Sequence, residues 1–172
     1  MSRPFIVTAV LPPDIQGWAE GLRRAHFPPE RNHLHAHVTL FHAFAPSLLD
    51  ELKDFLPDIV REFAAPTARI TGLMDLGKGT AIALESEELL RLRSLIAEHF
   101  HGSLTDQDLH EPRLHITIQN KVTKEEARVL QAALAPQVDP RGFAFPALDL
   151  HRYEGGPWSH EKRMPFRGKE RA

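Results

Sequence analysis

The 172-residue chain has no cysteine. That excludes disulfides, thiol nucleophiles and cysteine-ligated zinc, while leaving the compartment open. No apolar run is long enough to cross a membrane as a helix. The run from Phe5 to Leu11 is too short for the core of a secretion signal and is stopped by Pro12-Pro13. The expectation is therefore a cytoplasmic protein without a membrane partner, working as a monomer. Also missing is an excess of one charge: 21 Lys and Arg stand against 23 Asp and Glu, a net charge of −2. A non-specific duplex nucleic-acid binder would be basic. Gly77-Lys78-Gly79 is too short to be a phosphate-cradling loop. What is present is 42% hydrophobic and 26% charged residues, an ordinary globular composition with enough chain to bury a core.

Two tetrapeptides stand out, His37-Val38-Thr39-Leu40 and His115-Ile116-Thr117-Ile118. Each reads His, apolar, Thr, apolar. In an extended strand, side chains alternate between faces. His and Thr then share one face, and the two apolar residues pack into a core from the other. Around them the order of parts repeats. A helix, a motif strand, a second helix and two strands about a glycine turn run from about residue 14 to 85, and again from about 87 to 167. In the first copy, apolar spacing gives helices from Ile15 to Ala25 and from Pro46 to Phe63, the latter kinked or divided by Pro57. Strands follow from Thr67 to Leu76 and from Thr80 to Leu84. In the second copy the helices run from Glu87 to Phe100 and from Thr123 to Ala135, the last opened by a Thr123–Glu126 capping box. Residues 102–112 and 136–142 read as loops, and Phe143 to Tyr153 and Trp158 to Phe166 as the closing strand pair. Leu73-Met74-Asp75-Leu76 resembles Ala147-Leu148-Asp149-Leu150, which extends the repeat. Residues 1–172 thus read as a single bilobal domain in which the two motifs are pseudo-two-fold mates.

Two imidazoles and two hydroxyls suit acid–base chemistry on a phosphate ester. Histidine titrates nearest to neutral pH. One neutral imidazole takes a proton from the nucleophile, and one imidazolium gives a proton to the leaving oxygen. In-line attack at phosphorus needs this division, because nucleophile and leaving group stand on opposite sides. The threonines can hydrogen-bond the non-bridging oxygens. Which histidine is acid and which is base stays open at this point.

The paired His-x-Thr-x motifs in a duplicated chain, with the strand Phe5 to Leu11, the Pro-Pro break and the segment Pro28-Pro29-Glu30-Arg31-Asn32-His33-Leu34-His35, resemble the two-histidine (2H) phosphoesterase superfamily. The likeness is greatest to its RNA 2′,5′-ligase-like and cyclic phosphodiesterase branch. The resemblance implies an α+β fold of two pseudo-symmetric lobes, with antiparallel sheets facing a central cleft and helices outside. It implies a phosphodiesterase for 2′,3′-cyclic phosphate ends of RNA or related nucleotide diesters, or reversible 2′,5′ ligation, without a cofactor. By residue matching, His37 and His115 would be the acid–base pair and Thr39 and Thr117 the phosphate ligands. Many ligase-like members carry an arginine soon after the second motif. Here Ile118-Gln119-Asn120-Lys121 follows, which favours a small nucleotide over a long RNA strand.

Further candidates come from position. Phe41, four residues beyond His37, and Gln119, two beyond Thr117, should share the motif face, the first to stack a base and the second to touch phosphate. Tyr153 and Trp158 flank a glycine turn and could form a stacking platform. Arg113 could hold a terminal phosphate, as could Arg152 and Arg163. Two other functional classes fit parts of the sequence. One is a module that binds RNA ends or nucleotides without turnover. The other is a metal enzyme built on the alternating His33, His35 and His37, completed by His115 and with His42 nearby, although a metal account leaves the paired threonines without a role.

Overall fold

The computed structural model describes residues 3–172 and contains two four-stranded antiparallel sheets and five α-helices. One sheet has the order β2-β1-β7-β8, made of β1 (Phe5–Ala9), β2 (Val38–Phe44), β7 (Ala147–Tyr153) and β8 (Trp158–Pro165). The other has the order β5-β4-β3-β6, made of β3 (Thr67–Asp75), β4 (Thr80–Glu85), β5 (His115–Gln119) and β6 (Arg141–Ala144). The helices are α1 (Pro13–His26), α2 (Leu49–Glu62), α3 (Glu87–His99), the single turn α4 (Asp106–Leu109) and α5 (Lys124–Leu134). This is the α+β arrangement that the family resemblance implies.

The two halves of the chain exchange hairpins. The β3–β4 hairpin follows the first motif in sequence but pairs with the second motif strand, β5. The β7–β8 hairpin comes from the second half of the chain but pairs with β1, which in turn pairs with the first motif strand, β2. Each sheet therefore holds strands from both halves of the chain. The exchange leaves β2 and β5 as edge strands, and these two edges neighbour one another. Chain connectivity thus places the two motifs together.

Local chemistry accounts for the element ends. Pro13 opens α1, where a missing N–H costs nothing. Ser86 caps α3 by accepting from the Leu89 N–H, and the Thr123–Glu126 capping box opens α5. Three segments differ from the sequence reading. Helix α2 runs unbroken through Pro57. The ring costs it the bond to the Lys53 carbonyl, but buried Leu52, Leu56, Ile59 and Val60 hold both halves on the core. Residues 102–112 include the turn α4. The expected strand beginning at Phe143 is two strands in different sheets, β6 and β7, because the chain crosses at Phe145-Pro146, where the Phe145 N–H bonds the Pro66 carbonyl. One apolar core, including fully buried Phe5, Phe41, Phe44, Ile70, Ile82 and Phe145, lies behind the sheets.

Candidate active site

The two motif histidines are held in the same way. His37 Nδ1 lies 2.7 Å from the His35 carbonyl and His115 Nδ1 lies 2.6 Å from the Arg113 carbonyl, each partner two residues upstream. A carbonyl oxygen only accepts, so Nδ1 carries the proton in both rings. With Nδ1 of each ring held by a backbone carbonyl, Nε2 is the nitrogen left to exchange a proton. For Arg113, the sequence expectation rested on its guanidinium. It is the Arg113 carbonyl that meets the site, and its side chain is exposed with no hydrogen-bond partner among the described residues.

A β-bulge interrupts each motif strand at the same place. Thr39 pairs with Thr8, but the next pair is Phe41 with Val7, so Leu40 is the extra residue. Thr117 pairs with Ala81, but the next pair is Gln119 with Thr80, so Ile118 is the extra residue. A bulge adds one residue and reverses the alternation beyond it. His37 with Thr39, and His115 with Thr117, keep the open face, where all four are half-buried. Phe41 and Gln119 do not. Phe41 is wholly buried, packed on Phe44 with the Arg93 guanidinium 4.2 Å from its ring centroid, so it cannot stack a base. Gln119 is buried and accepts a hydrogen bond from the Thr80 hydroxyl at 2.9 Å; that hydroxyl in turn accepts from Gln131 of α5. Its amide belongs to this internal network and not to a phosphate site.

Two arginines that the sequence reading passed over lock the motif edges. Arg23 of α1 donates to the Thr117 carbonyl at 2.8 Å and is itself oriented by Asn32 at 2.9 and 3.1 Å. Arg93 of α3 donates to the Leu40 carbonyl at 3.2 Å and to the Asp108 carbonyl. Each arginine comes from the helix that precedes one motif and bonds the strand of the other, so the clamps cross. Both side chains are buried, and desolvation lowers both guanidinium pKa values from their ordinary range. The Asp108 carboxylate completes the β2 edge by accepting from the His42 and Ala43 N–H groups at 2.8 and 2.9 Å. These bonds satisfy edge groups that would otherwise invite further strand pairing. A signal did exist in the sequence: Arg23 continues the stripe Ile15, Ala19 at four-residue spacing, and Arg93 follows Leu89 in the same way.

A cavity of about 630 Å³ opens beside His37. Its floor is the open face of the β2-β1-β7-β8 sheet, where Thr8, Asp149, His151, Trp158, His160 and Arg163 line it. The Trp158 ring packs against His37 with centroids 4.6 Å apart, and against His151 at 5.2 Å. His151 Nε2 is 3.2 Å from the Thr8 hydroxyl. Asp149 accepts two hydrogen bonds from Arg163, at 2.9 and 2.8 Å, and lies 3.1 Å from His160 Nε2. Trp158 is therefore at the site, as part of the histidine's wall. Tyr153, its cross-strand partner at the hairpin tip, is exposed and outside the cavity lining. Asp75, which sequence similarity matches to Asp149, sits at an exposed turn and accepts from the Gly77 N–H. The candidate metal histidines do not converge: His35 points to solvent beside Glu20, His42 sits against Asp108 at the outer edge, and no group of three or more His, Asp or Glu among the described residues has the geometry to hold a metal.

Burial pushes the His37 imidazole down from 6.5 to about 4. Its bond to the His35 carbonyl works in the other direction, while the positive charges of Arg23, His151 and His115 add to the depression. His37 is thus neutral at pH 7. Burial lowers His151 as well. Asp149 is held below the usual carboxylate range by Arg163 and His160, against the cost of its own burial.

Residues 11–157 match the family model of the 2′-5′ RNA ligase superfamily. No curated protein sequence matches the chain. Among solved structures, TT0787 of Thermus thermophilus superposes with a TM-score of 0.66 at 17% identity, over 98% of this chain and 99% of that one. Escherichia coli LigT in complex with NADP+ gives 0.61 at 16% identity, over 97% and 99%. The same protein with 3′-AMP gives 0.57 at 16% identity, over 96% and 99%. At these identities the structures share the fold.

Proposed function

The chain belongs to the 2′-5′ RNA ligase superfamily of 2H phosphoesterases, and from that footing we propose that it hydrolyses 2′,3′-cyclic phosphates of nucleotides or RNA ends, or closely related nucleotide diesters, by proton transfer between His37 and His115. The observation that carries this reading is the matched pair of imidazoles, each fixed through Nδ1 to the carbonyl two residues upstream and each with a threonine on the same strand face.

A general base has to be neutral before it acts. His37, desolvated under Trp158, meets that requirement at pH 7. Its Nε2 takes a proton from water as the water oxygen bonds to phosphorus. His115, as the imidazolium, gives its Nε2 proton to the ribose oxygen whose bond to phosphorus breaks. Thr39 and Thr117 donate to the non-bridging oxygens and hold the ester in line between the rings. With the hydroxyl of a second ribose in place of water, the same groups in the same roles run ligation, and in the reverse cleavage microscopic reversibility exchanges them. The E. coli LigT complex with 3′-AMP fits this chemistry, because a 3′-phosphate is what remains when the bond from phosphorus to the 2′ oxygen of a cyclic ester is broken.

The test is product formation from a panel of 2′,3′-cyclic nucleotides, cyclic-ended oligoribonucleotides and 2′,5′-linked dinucleotides. His37→Ala and His115→Ala should each lower turnover by about 10²- to 10⁴-fold, the usual worth of a positioned acid or base, and EDTA should change nothing. Near-normal turnover in either variant would refute the mechanism. Ligand-induced thermal stabilisation without product would identify a binding module instead.

A further inference from the structure

The cavity is one-sided. It opens from His37 across the β2-β1-β7-β8 sheet, and neither His115 nor Thr117 lines it. In the other sheet, the cross-strand neighbour of Thr117 is Ala81, and that of Ala81 is Met74. In the first, the row through Thr39 runs on through Thr8 and Asp149 to Arg163. The two halves of a bound diester therefore meet different surfaces.

The cavity has two kinds of wall. Val10, Leu11, Pro13, Leu34 and Ala36 are apolar, and Trp158 closes the side next to His37. The far floor is polar and electrically balanced. Arg163 donates one Nε and one Nη2 hydrogen to Asp149, an ion pair that offsets its charge on the cavity floor. Glu20, the other ionic group of the lining besides the histidines, accepts from the Ala36 N–H and Gln16. His151 and His160 are each engaged through Nε2, to Thr8 and Asp149, and each keeps an Nδ1 without a protein partner among the described residues. A phosphate site collects surplus positive charge and donors only. Here donors and acceptors alternate without net positive charge, beside apolar walls, in a volume suited to one small organic ligand.

Resting on the phosphodiesterase reading, we propose that Asp149, His151, His160 and Arg163 form a nucleobase subsite. It takes the uncharged base of the nucleoside whose phosphate lies between His37 and His115, and it selects against a second phosphate on that nucleoside. Asp149 is the selecting group: it neutralises the one arginine that could otherwise hold a 5′-phosphate. Burial lowers the His151 pKa, which works against a charged ring in this pocket. The substrate is then a mononucleoside phosphodiester in preference to one carrying a 5′-phosphate.

Calorimetric binding of a nucleoside 3′-monophosphate and of the corresponding 3′,5′-bisphosphate tests this without reliance on turnover. The wild-type protein should bind the monophosphate at least about tenfold more tightly, the scale on which an uncompensated charge is rejected. Asp149→Asn frees the Arg163 charge and should shift the ratio toward the bisphosphate by threefold or more. Arg163→Gln should shift it the other way. A wild-type preference for the bisphosphate, or a ratio that neither variant moves, would overturn the subsite. Turnover of the 2′,3′-cyclic nucleotide, measured in parallel, separates the two readings: absent turnover with the ratio as expected refutes the catalytic reading and leaves the subsite standing.

Discussion

The Trp158 indole lies against the His37 imidazole, with ring centroids 4.6 Å apart and planes at 55°. Among the described residues no aromatic ring packs on His115 in this way. The two motifs are alike in backbone geometry and unlike in cover, and the proposed division of acid–base work rests on this difference.

The acid limb of kcat/KM should reflect that cover. The base must be unprotonated, so activity falls as pH drops through the His37 pKa, near 4. For an uncovered imidazole the fall would come near 6.5. Trp158→Ala should move this limb upward toward 6.5 as water reaches the ring, and Trp158→Phe should move it less. A pH–rate profile for the three proteins decides it, and an acid limb that stays in place in Trp158→Ala would contradict the division of roles.

Stability should follow pH with a definite sign. Between about pH 4 and 6.5 the unfolded chain binds a proton on His37 that the folded chain refuses. Stability is therefore fully present above 6.5 and is lost as pH falls toward 4. Thermal melting across this window should show a falling Tm at lower pH. His37→Gln should reduce the slope, and the remainder includes His151, whose pKa is depressed in the same direction.

The threonines should act on the transition state more than on binding. Thr39→Val and Thr117→Val keep shape and strand propensity but remove the donor. Each should lower kcat by about 10²- to 10³-fold, the range for one donor to a developing oxyanion, with a smaller change in KM. Steady-state kinetics on a cyclic nucleotide supply the measurement. An equal loss from KM alone would make them simple binding groups.

The crossed arginines should matter to fold and site together. Arg23→Met leaves the Thr117 carbonyl and Asn32 without their donor, at a cost of about 1–3 kcal/mol for buried polar groups left unpaired. Arg93→Met should cost a similar amount at the Leu40 and Asp108 carbonyls. Denaturant midpoints give the stability change, and turnover should drop in both variants because the clamped strands carry the proposed catalytic pairs. Unchanged midpoints would show that water replaces the arginines.

The sequence by itself determined the pieces. Alternation placed His37 with Thr39 and His115 with Thr117, and the structure keeps both pairs on one face. The repeated order of helices and strands, and the Thr123–Glu126 capping box, could also be read locally, because caps and periodicity depend on residues a few positions apart. Tertiary structure decided the rest. Bulges at Leu40 and Ile118 removed Phe41 and Gln119 from the site; strand pairing creates them, so alternation along one strand cannot reveal them. Hairpin exchange made β2 and β5 neighbouring edges, and Arg23 and Arg93 acquired partners more than fifty residues away. The ionisation of His37 lay beyond local reading, because an imidazole's pKa depends on what excludes water from it, and Trp158 reaches it only through the pairing of β7 with β8 in the folded sheet.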